Sequence, residues 1–493
     1  MPTSTTDLKS KIQDDVPEVN VQNHLKVLGV FFHLLESVPK RYATDEQSLD
    51  EFFQRATYRL QLWVNKIIKI GDEEQPLQEH ELPPLDVALA LHSLMLSPHR
   101  YFEDSELRFR QLKRMKEYPL NMMVAAMCAG NTEYDEVKCH AALGYWCNCT
   151  GLAFGAVNSM NNDHMRSVIC PSCQEAADVS WKGDRGFAGS DFKHQCRKCQ
   201  MILTHDILRA GKFLLALNQT KHDPRICLPN TAVLVRGELD IQMRCPAIVD
   251  EVRKCLENPN GQLLSMGDMV NLAATESHSI MAYIAERLSR PESVLRVESI
   301  PMLLRAFDHS YSFTQDVVDA LHHQHPFIRT IFHQGWSRPN SGGPSHDDLD
   351  IAYAQYGEFL QRIVTPNRRE PEWKDDLIWH THQLMPQQYR DNIVNYIRVF
   401  LDHLPRGEDL NGYRPQHDAS KLAPVSIWVQ GDPVFHTKGG VYYSPGPNPQ
   451  HCSAAGCSCS SVCTSTCSCG CCQAGIVAHS FLKMEPVSDI LSQ

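Results

Sequence analysis

Four cysteines near the middle of the chain have the spacing of metal ligands. They form the pairs Cys170-Pro-Ser-Cys173 and Cys196-Arg-Lys-Cys199, with 22 residues between the pairs. Each CxxC pair can present two thiolates from a tight turn, and four thiolates complete the tetrahedral shell of a structural zinc ion. Because the protein would supply every ligand, no position remains for a reactive water molecule. The spacing therefore predicts a structural zinc cofactor in a small β ribbon, with a redox dithiol as the lesser alternative.

A second group of cysteines lies near the end of the sequence, among Ser, Gly, Ala and Thr residues that cannot build a hydrophobic core. Thiols at CxC and CC spacing suit soft metal ions such as Zn(II) or Cu(I). Reversible oxidation and palmitoylation are alternatives that the pattern leaves open. The candidate metal or redox residues of this tail are Cys452, Cys457, Cys459, Cys463, Cys467, Cys469, Cys471 and Cys472.

Histidines occur in a motif that is present twice. The segment Leu89 to Asp104 aligns with the segment Leu377 to Asn392 at a constant offset of 288 residues, so that His92 corresponds to His380. Leucine, proline and tyrosine are also identical between the two segments, and each segment follows an amphipathic helix and a link that contains proline. This pattern predicts a duplicated unit of helix, proline link, histidine helix and Pro-initiated turn.

The sequence "WHTHQL" of the second copy contains two histidines with different expected roles. On a helix, His380 and His382 project in nearly opposite directions and cannot bind one ion together. Asp376 lies one turn before His380 and can orient its imidazole. We expect His92 and His380 to be buried structural residues that are hydrogen-bonded across the copies, with a metal or ligand site as the lesser alternative. His382 has no counterpart, so His382 and Asp376 are the first candidates for a ligand specific to the second copy.

The elements that would position these residues are predicted to be mainly α-helical. Apolar residues recur at helical spacing through most of the chain, as in the segment from Leu49 to Ile70, whereas strand-like alternation is confined to Leu228 to Leu239 and the cysteine-rich middle. The predicted fold is a helical domain that contains the duplicated unit and an inserted four-cysteine zinc ribbon of small β structure.

The predicted organisation has six parts, assigned from composition shifts and from Gly-, Pro- and Ser-rich stretches. They are a flexible N-terminus (1–20), a helical region with the first repeat copy (21–130), the cysteine-rich zinc-ribbon insertion (131–215), a helical region with a short strand segment (216–333), the second repeat copy (348–405) and a low-complexity tail that is first Gly/Pro-rich and then Cys-rich (406–493).

Composition narrows the classes of function. The chain has 47 basic and 58 acidic residues and a net charge of -11, so there is no strong signal for nucleic-acid binding. No apolar run reaches the ~18 residues of a transmembrane helix. The polar N-terminal segment lacks the features of a secretory signal, which favours the cytoplasm, with the nucleus as an alternative, and reduced cysteines. The expected partner is a protein or a small-molecule ligand.

The repeated motif resembles that of the glycine-rich domain-containing protein family of plants and fungi, which shares a domain of unknown function. The resemblance covers roughly Val21 to His403, and "HLKVLGVFF", the cysteine pairs and "FIRTIFHQGW" also look like those of fungal members. The chain departs from the family pattern at Leu91, Ser97 and Lys374, and its tail is richer in cysteine than in glycine. The resemblance implies an architecture and a link to stress responses, and it implies no established activity.

The features together favour a non-enzymatic, zinc-stabilised helical binding protein with a tail that responds to metal or redox state. The alternative is a non-haem iron, 2-oxoglutarate-dependent dioxygenase, which needs two histidines and one carboxylate around an iron ion. The residues available for that site are His346, Asp348 and His403, with Arg406 for the cosubstrate. Motifs of serine hydrolases, zinc proteases and phosphate-binding loops are absent from the sequence.

Overall fold

The computed structural model describes most of the chain up to Asp402 and two short strands beyond it. The described residues are 5–402 and the segments 435–437 and 441–443, without the gaps at 41–43, 70, 72–74, 162–164, 184, 223–226, 232, 236–237, 241–244, 277–278, 291–299, 340, 364–370 and 398–399.

The described residues are mainly helical, as the sequence predicted. The helices are α1 (Thr5–Asp15), α2 (Glu18–Glu36), α3 (Asp45–Leu62), α4 (Leu85–Met95), α5 (Pro98–Leu107), α6 (Leu120–Ala126), α7 (His140–Thr150), α8 (Ala156–Asn161), α9 (His205–His222), α10 (Cys245–Cys255), α11 (Met266–Glu276), α12 (Ile280–Leu288), α13 (Ile300–Arg305), α14 (Val317–His333), α15 (His346–Ile363), α16 (Trp373–Gln383) and α17 (Pro386–Ile397). A π-helical turn at Trp63–Ile67 extends α3, and 3₁₀ turns lie at Glu79–Glu81 and Arg110–Arg114.

The duplicated unit is present and consists of three helices in each copy. The first copy is α3, α4 and α5, and the second is α15, α16 and α17; in both, the first helix packs on the second and the second on the third. The predicted Pro-initiated turns are therefore helices, which begin at Pro98 and Pro386. Proline suits a first helical position because its missing N–H would have no partner within the helix.

The N-terminal residues differ from the predicted flexible segment, because residues 5–15 form α1. Leu8 and Ile12 are buried, and Val16 continues the same face after the helix ends. These three apolar residues recur every fourth position, so they form one stripe on an otherwise polar helix. α1 packs on α15 through this stripe.

Two hydrophobic cores organise the described residues. The first core takes its buried residues from positions 8–160 and 313–401, and it contains both repeat copies. The second core takes its residues from positions 168–307, and it contains one cysteine of each pair together with residues of α9 to α13. The second core is thus formed by residues inserted between the two parts of the first.

The strands form small antiparallel hairpins. They are β1 (Met165–Ile169), β2 (Ala176–Ser180), β3 (His194–Gln195), β4 (Ile202–Leu203), β5 (Val233–Val235), β6 (Glu238–Asp240), β7 (Phe400–Leu401), β8 (Phe435–Thr437) and β9 (Val441–Tyr443). β1 pairs with β2, β3 with β4, and β5 with β6, while β9 lies between β7 and β8. The strand predicted from Leu228 to Leu239 is the β5–β6 hairpin. No helix in the described ranges has both the length and the hydropathy to cross a membrane.

Candidate metal centre

Each cysteine pair lies at the tip of its own hairpin. Cys170 and Cys173 lie between β1 and β2, and Cys196 and Cys199 lie between β3 and β4. The predicted single ribbon between the pairs is therefore two hairpins that face each other. The Sγ atoms of Cys170 and Cys199 are 3.5 Å apart, as are those of Cys173 and Cys196. All four Sγ atoms lie within 4.8 Å of one another, which brings the predicted ligand set together.

The two hairpin tips have the same backbone structure. The N–H of Cys170 donates to the carbonyl of Glu175, and the N–H of Cys196 donates to the carbonyl of Met201, the equivalent residue of its own turn. Gln174 and Gln200, which follow the pairs, both adopt positive φ angles of 62° and 63°. The side-chain amide of each glutamine donates to the carbonyl of the residue after the first cysteine of its pair. The repeated CxxCQ sequence thus produces the same tight turn twice.

The backbone and the burial of the cysteines act in opposite directions on their thiol pKa values. The N–H groups of Cys199 and Lys198 lower the pKa of Cys196 to about 7, since they stabilise its thiolate. Burial raises the pKa of Cys170 to about 12, because the thiolate would lie in the hydrophobic core. A cation bound by the four sulfur atoms would offset the cost of desolvating the Cys170 thiolate. Cysteines that bind metal are deprotonated.

The first hairpin tip is held against α9 by a glycine. A β-carbon at Gly211 would lie 2.5 Å from Cβ of Pro171, so only glycine permits this approach of the helix to the CxxC turn. Cys170 and Cys196 are themselves part of the second hydrophobic core. The cysteine cluster is therefore packed into this core at two of its four residues.

His92 of the first repeat copy contacts a residue that sequence analysis did not select, His24 of α2. His24 Nε2 lies 2.9 Å from His92 Nε2 on α4, and His24 Nδ1 lies 2.9 Å from the Thr381 hydroxyl on α16. His24 thus links α4 of the first copy to α16 of the second by hydrogen bonds, and His24, His92 and Thr381 are all buried. Sequence analysis could have selected His24, because it is a histidine within the apolar sequence "HLKVLGVFF". A histidine that is buried in a helix packing interface needs a hydrogen-bond partner.

His380 and His382 face different helices, as their spacing on α16 requires. His380 Nε2 lies 3.2 Å from Asp376 Oδ1, and the His380 ring contacts Phe327 on α14. His382 Nδ1 is 3.1 Å from the Tyr356 hydroxyl, and its Nε2 accepts from the Asn392 amide at 3.3 Å. His382 is thus a buried residue with a partner at each ring nitrogen.

The remaining predicted residues lie either outside the described part of the chain or at the start of α15. All eight tail cysteines, together with His403 and Arg406, lie outside the described residues. His346 and Asp348 lie in the first turn of α15, where His346 pairs with Glu18 and Asp348 accepts hydrogen bonds from Ser345. Most described cysteines are free thiols, whereas Cys227 is disulfide-bonded.

Fold and site together define a mainly helical protein with four cysteines at metal-binding distance. A comparison with curated proteins finds similarity to "Glycine-rich domain-containing protein 1" of Arabidopsis thaliana, which is 37% identical over 98 residues. The match covers 18% of this chain and 11% of that protein, so it supports a distant link. No family model matches the chain. No solved structure matches it either.

Proposed function

We propose that this chain is a non-enzymatic binding protein whose cysteine module is stabilised by zinc. The observation that carries the proposal is the convergence of the four Sγ atoms, with two separations of 3.5 Å. Tetrahedral zinc with Zn–S bonds of about 2.3 Å needs sulfur separations of about 3.8 Å, a small expansion. Four sulfur ligands leave no position for substrate, so the ion would stabilise the fold and take no part in a reaction.

The face we assign to a protein partner lies on the same module. Met165 and Ile169 on β1 and Ile202 on β4 are 48%, 36% and 54% exposed. Met165 and Ile169 share the exposed face of β1, and such apolar exposure on a small unit favours an interaction surface. We also assign a metal- or redox-responsive role to the tail on the basis of its cysteine content, and a stress-related role remains a prediction from the family resemblance.

The proposal is tested by metal analysis of the purified full chain. We expect zinc in the wild-type protein and one equivalent less in a Cys173→Ser/Cys199→Ser variant. The matched control is Cys147→Ser, which removes a thiol of the first core and should leave the zinc content unchanged. Zinc that is equal in all three proteins would refute the assignment. Stoichiometric iron with turnover of 2-oxoglutarate would favour the dioxygenase alternative instead.

A further inference from the structure

The strand β1, which leads into the first cysteine pair, has a pairing strand on one side only. It pairs with β2, and the two strands form a two-stranded sheet. The N–H of Cys170 donates to the carbonyl of Glu175, which lies directly opposite, so these two residues are a hydrogen-bonded pair of the ladder. Because hydrogen-bonded pairs alternate along antiparallel strands, every second residue of β1 directs its N–H and C=O groups away from β2. These residues are Met165, Ser167 and Ile169.

The outer edge of β1 is open. The outward N–H and C=O groups of Met165, Ser167 and Ile169 have no hydrogen-bond partner among the described residues. The side chains of the same three residues are exposed, whereas the two side chains between them are buried. A strand with free backbone groups along one edge is a template for pairing with another strand.

This edge lacks the features that usually prevent such pairing. Proteins block exposed edges with charged side chains, with proline or with a β-bulge. The exposed side chains of β1 are methionine, serine and isoleucine, and the register with β2 continues through all five residues of the strand without a bulge. The charged residue of the strand, Arg166, is only 5% exposed, and its guanidinium contacts the ring of Phe187. The edge of β1 can therefore accept a strand.

The order of residues makes this edge complementary to itself. When two copies of β1 run antiparallel about Ser167, Met165 of one copy lies opposite Ile169 of the other. The outward backbone groups of both copies then form hydrogen-bonded pairs, each of which exchanges two hydrogen bonds. Apolar side chains lie across from each other at both ends of the pairing, and no like charges meet. A charged partner strand would find no opposite charge among the three exposed side chains of β1.

We propose that a second copy of this chain binds at the open edge of β1, as an antiparallel strand with its two-fold axis at Ser167. β1 and β2 of the two copies together form a four-stranded sheet, and additional strands stabilise a sheet that is marginal with two. The inference rests on the interaction surface of the proposed function, and it names a second copy as the partner of Met165 and Ile169.

Analytical ultracentrifugation of the full chain over a series of concentrations tests the proposal with two charge variants. We expect the wild-type chain of 55.9 kDa to associate into a dimer. Met165→Lys/Ile169→Lys places like charges opposite each other at both ends of the pairing, so the dimer should be lost. Met165→Lys/Ile169→Glu places opposite charges there instead, so this variant should still form the dimer.

Two proline variants test which edge of the hairpin is used. Ser167→Pro removes an outward N–H at the two-fold axis and leaves the hydrogen bonds to β2 in place, so the dimer should be lost while the hairpin remains folded. Asp178→Pro is the matched control, because Asp178 lies directly opposite Ser167 and directs its N–H to the other edge of the hairpin. It should form the dimer as the wild type does.

A wild-type chain that stays monomeric at every concentration would overturn the proposal. Equal association of the two charge variants, or of the two proline variants, would overturn it as well. Zinc analysis of the same samples distinguishes this proposal from the proposed function. Monomeric protein that contains zinc contradicts only the pairing of β1, whereas dimeric protein without zinc contradicts only the metal assignment.

Discussion

At the scale of single residues, the first core depends on polar side chains that are buried and paired. Thr381 and Ser93 occupy the same position in the two repeat copies, and each hydroxyl donates to the carbonyl four residues earlier in its helix. Only Thr381 also accepts a hydrogen bond from a histidine, His24, 357 residues away in the sequence. Substitutions at the two positions therefore show how much the hydrogen bond between His24 and Thr381 contributes to the free energy of unfolding.

Thr381→Val should destabilise the protein by about 1–3 kcal/mol, because the Nδ1–H of His24 would remain buried without its acceptor. Ser93→Ala, which removes only the local hydroxyl bond, should cost less than about 1 kcal/mol. Both free energies of unfolding are measured by urea denaturation. Equal losses in the two variants would mean that the bond between His24 and Thr381 contributes nothing to stability.

His309 is the opposite case, a buried histidine whose two ring nitrogens find no hydrogen-bond partner among the described residues. Burial, together with the positive charges of Lys212, Arg209, Arg100 and Arg166, lowers its pKa well below the ordinary histidine value of 6.5. Below pH 6.5 the unfolded chain therefore binds a proton that the folded chain does not. Stability from this residue is fully present above that pH and is lost as the pH falls.

His309→Phe should consequently leave stability at pH 7.5 unchanged or raise it, since no hydrogen bond is removed. Below pH 6.5 the variant should gain on the wild type by up to about 1.4 kcal/mol per pH unit. The comparison is made by urea unfolding between pH 5 and 7.5. At pH 7.5, His382→Phe should in contrast be destabilised, because it loses two hydrogen bonds. A constant difference between His309→Phe and wild type over this range would contradict the prediction.

At the scale of elements, close approach decides which helices can support the cysteine hairpins. α9 reaches the first hairpin tip only because Gly211 has no side chain. A similar contact occurs at Gly29, where α2 meets the loop after α14. A β-carbon at Gly29 would lie 2.3 Å from the carbonyl oxygen of Ser337. Neither glycine is distinguished by its neighbours in sequence. The periodicity of apolar residues predicts that α9 is a helix, but it does not predict which residues α9 contacts.

Gly211→Ala should destabilise the protein by about 1–3 kcal/mol, because the rigid ring of Pro171 has to move away from the new methyl group. Metal affinity should fall with it, since Pro171 lies between Cys170 and Cys173. Gly144→Ala in α7 is the control: its β-carbon meets no described atom within 4 Å, and alanine should stabilise that helix by up to about 1 kcal/mol. Thermal unfolding and zinc titration measure the two effects, and a harmless Gly211→Ala would exclude this contact as a determinant.

At the scale of the whole molecule, the two hydrophobic cores are joined by buried polar contacts. Lys212 of α9 donates to the carbonyl of Phe313, which belongs to the first core. Glu103 accepts from the N–H of Asn230. The cysteine cluster belongs to the second core alone, so metal occupancy should affect the two cores unequally.

Removal of metal with a chelator should increase hydrogen exchange first in residues 165–217, which carry the cysteine hairpins and α9. Residues of the first core, such as those of α2 and α4, should keep their protection until higher denaturant, because their packing involves no cysteine of the cluster. Exchange followed by mass spectrometry of peptides measures this difference. Simultaneous loss of protection in both cores would show that the cluster stabilises the chain as a whole.

Local sequence determined the helices, the duplicated unit and the set of four cysteines, because each depends on spacing within a few turns or within one hairpin. The offset of 288 residues predicted two equivalent units, and the CxxC pairs predicted their own convergence. Tertiary structure alone decided that α1 is ordered, that Gly211 meets Pro171 and that His24 lies between His92 and Thr381. Those contacts join residues tens to hundreds of positions apart, and no local periodicity specifies which faces of two distant helices will pack together.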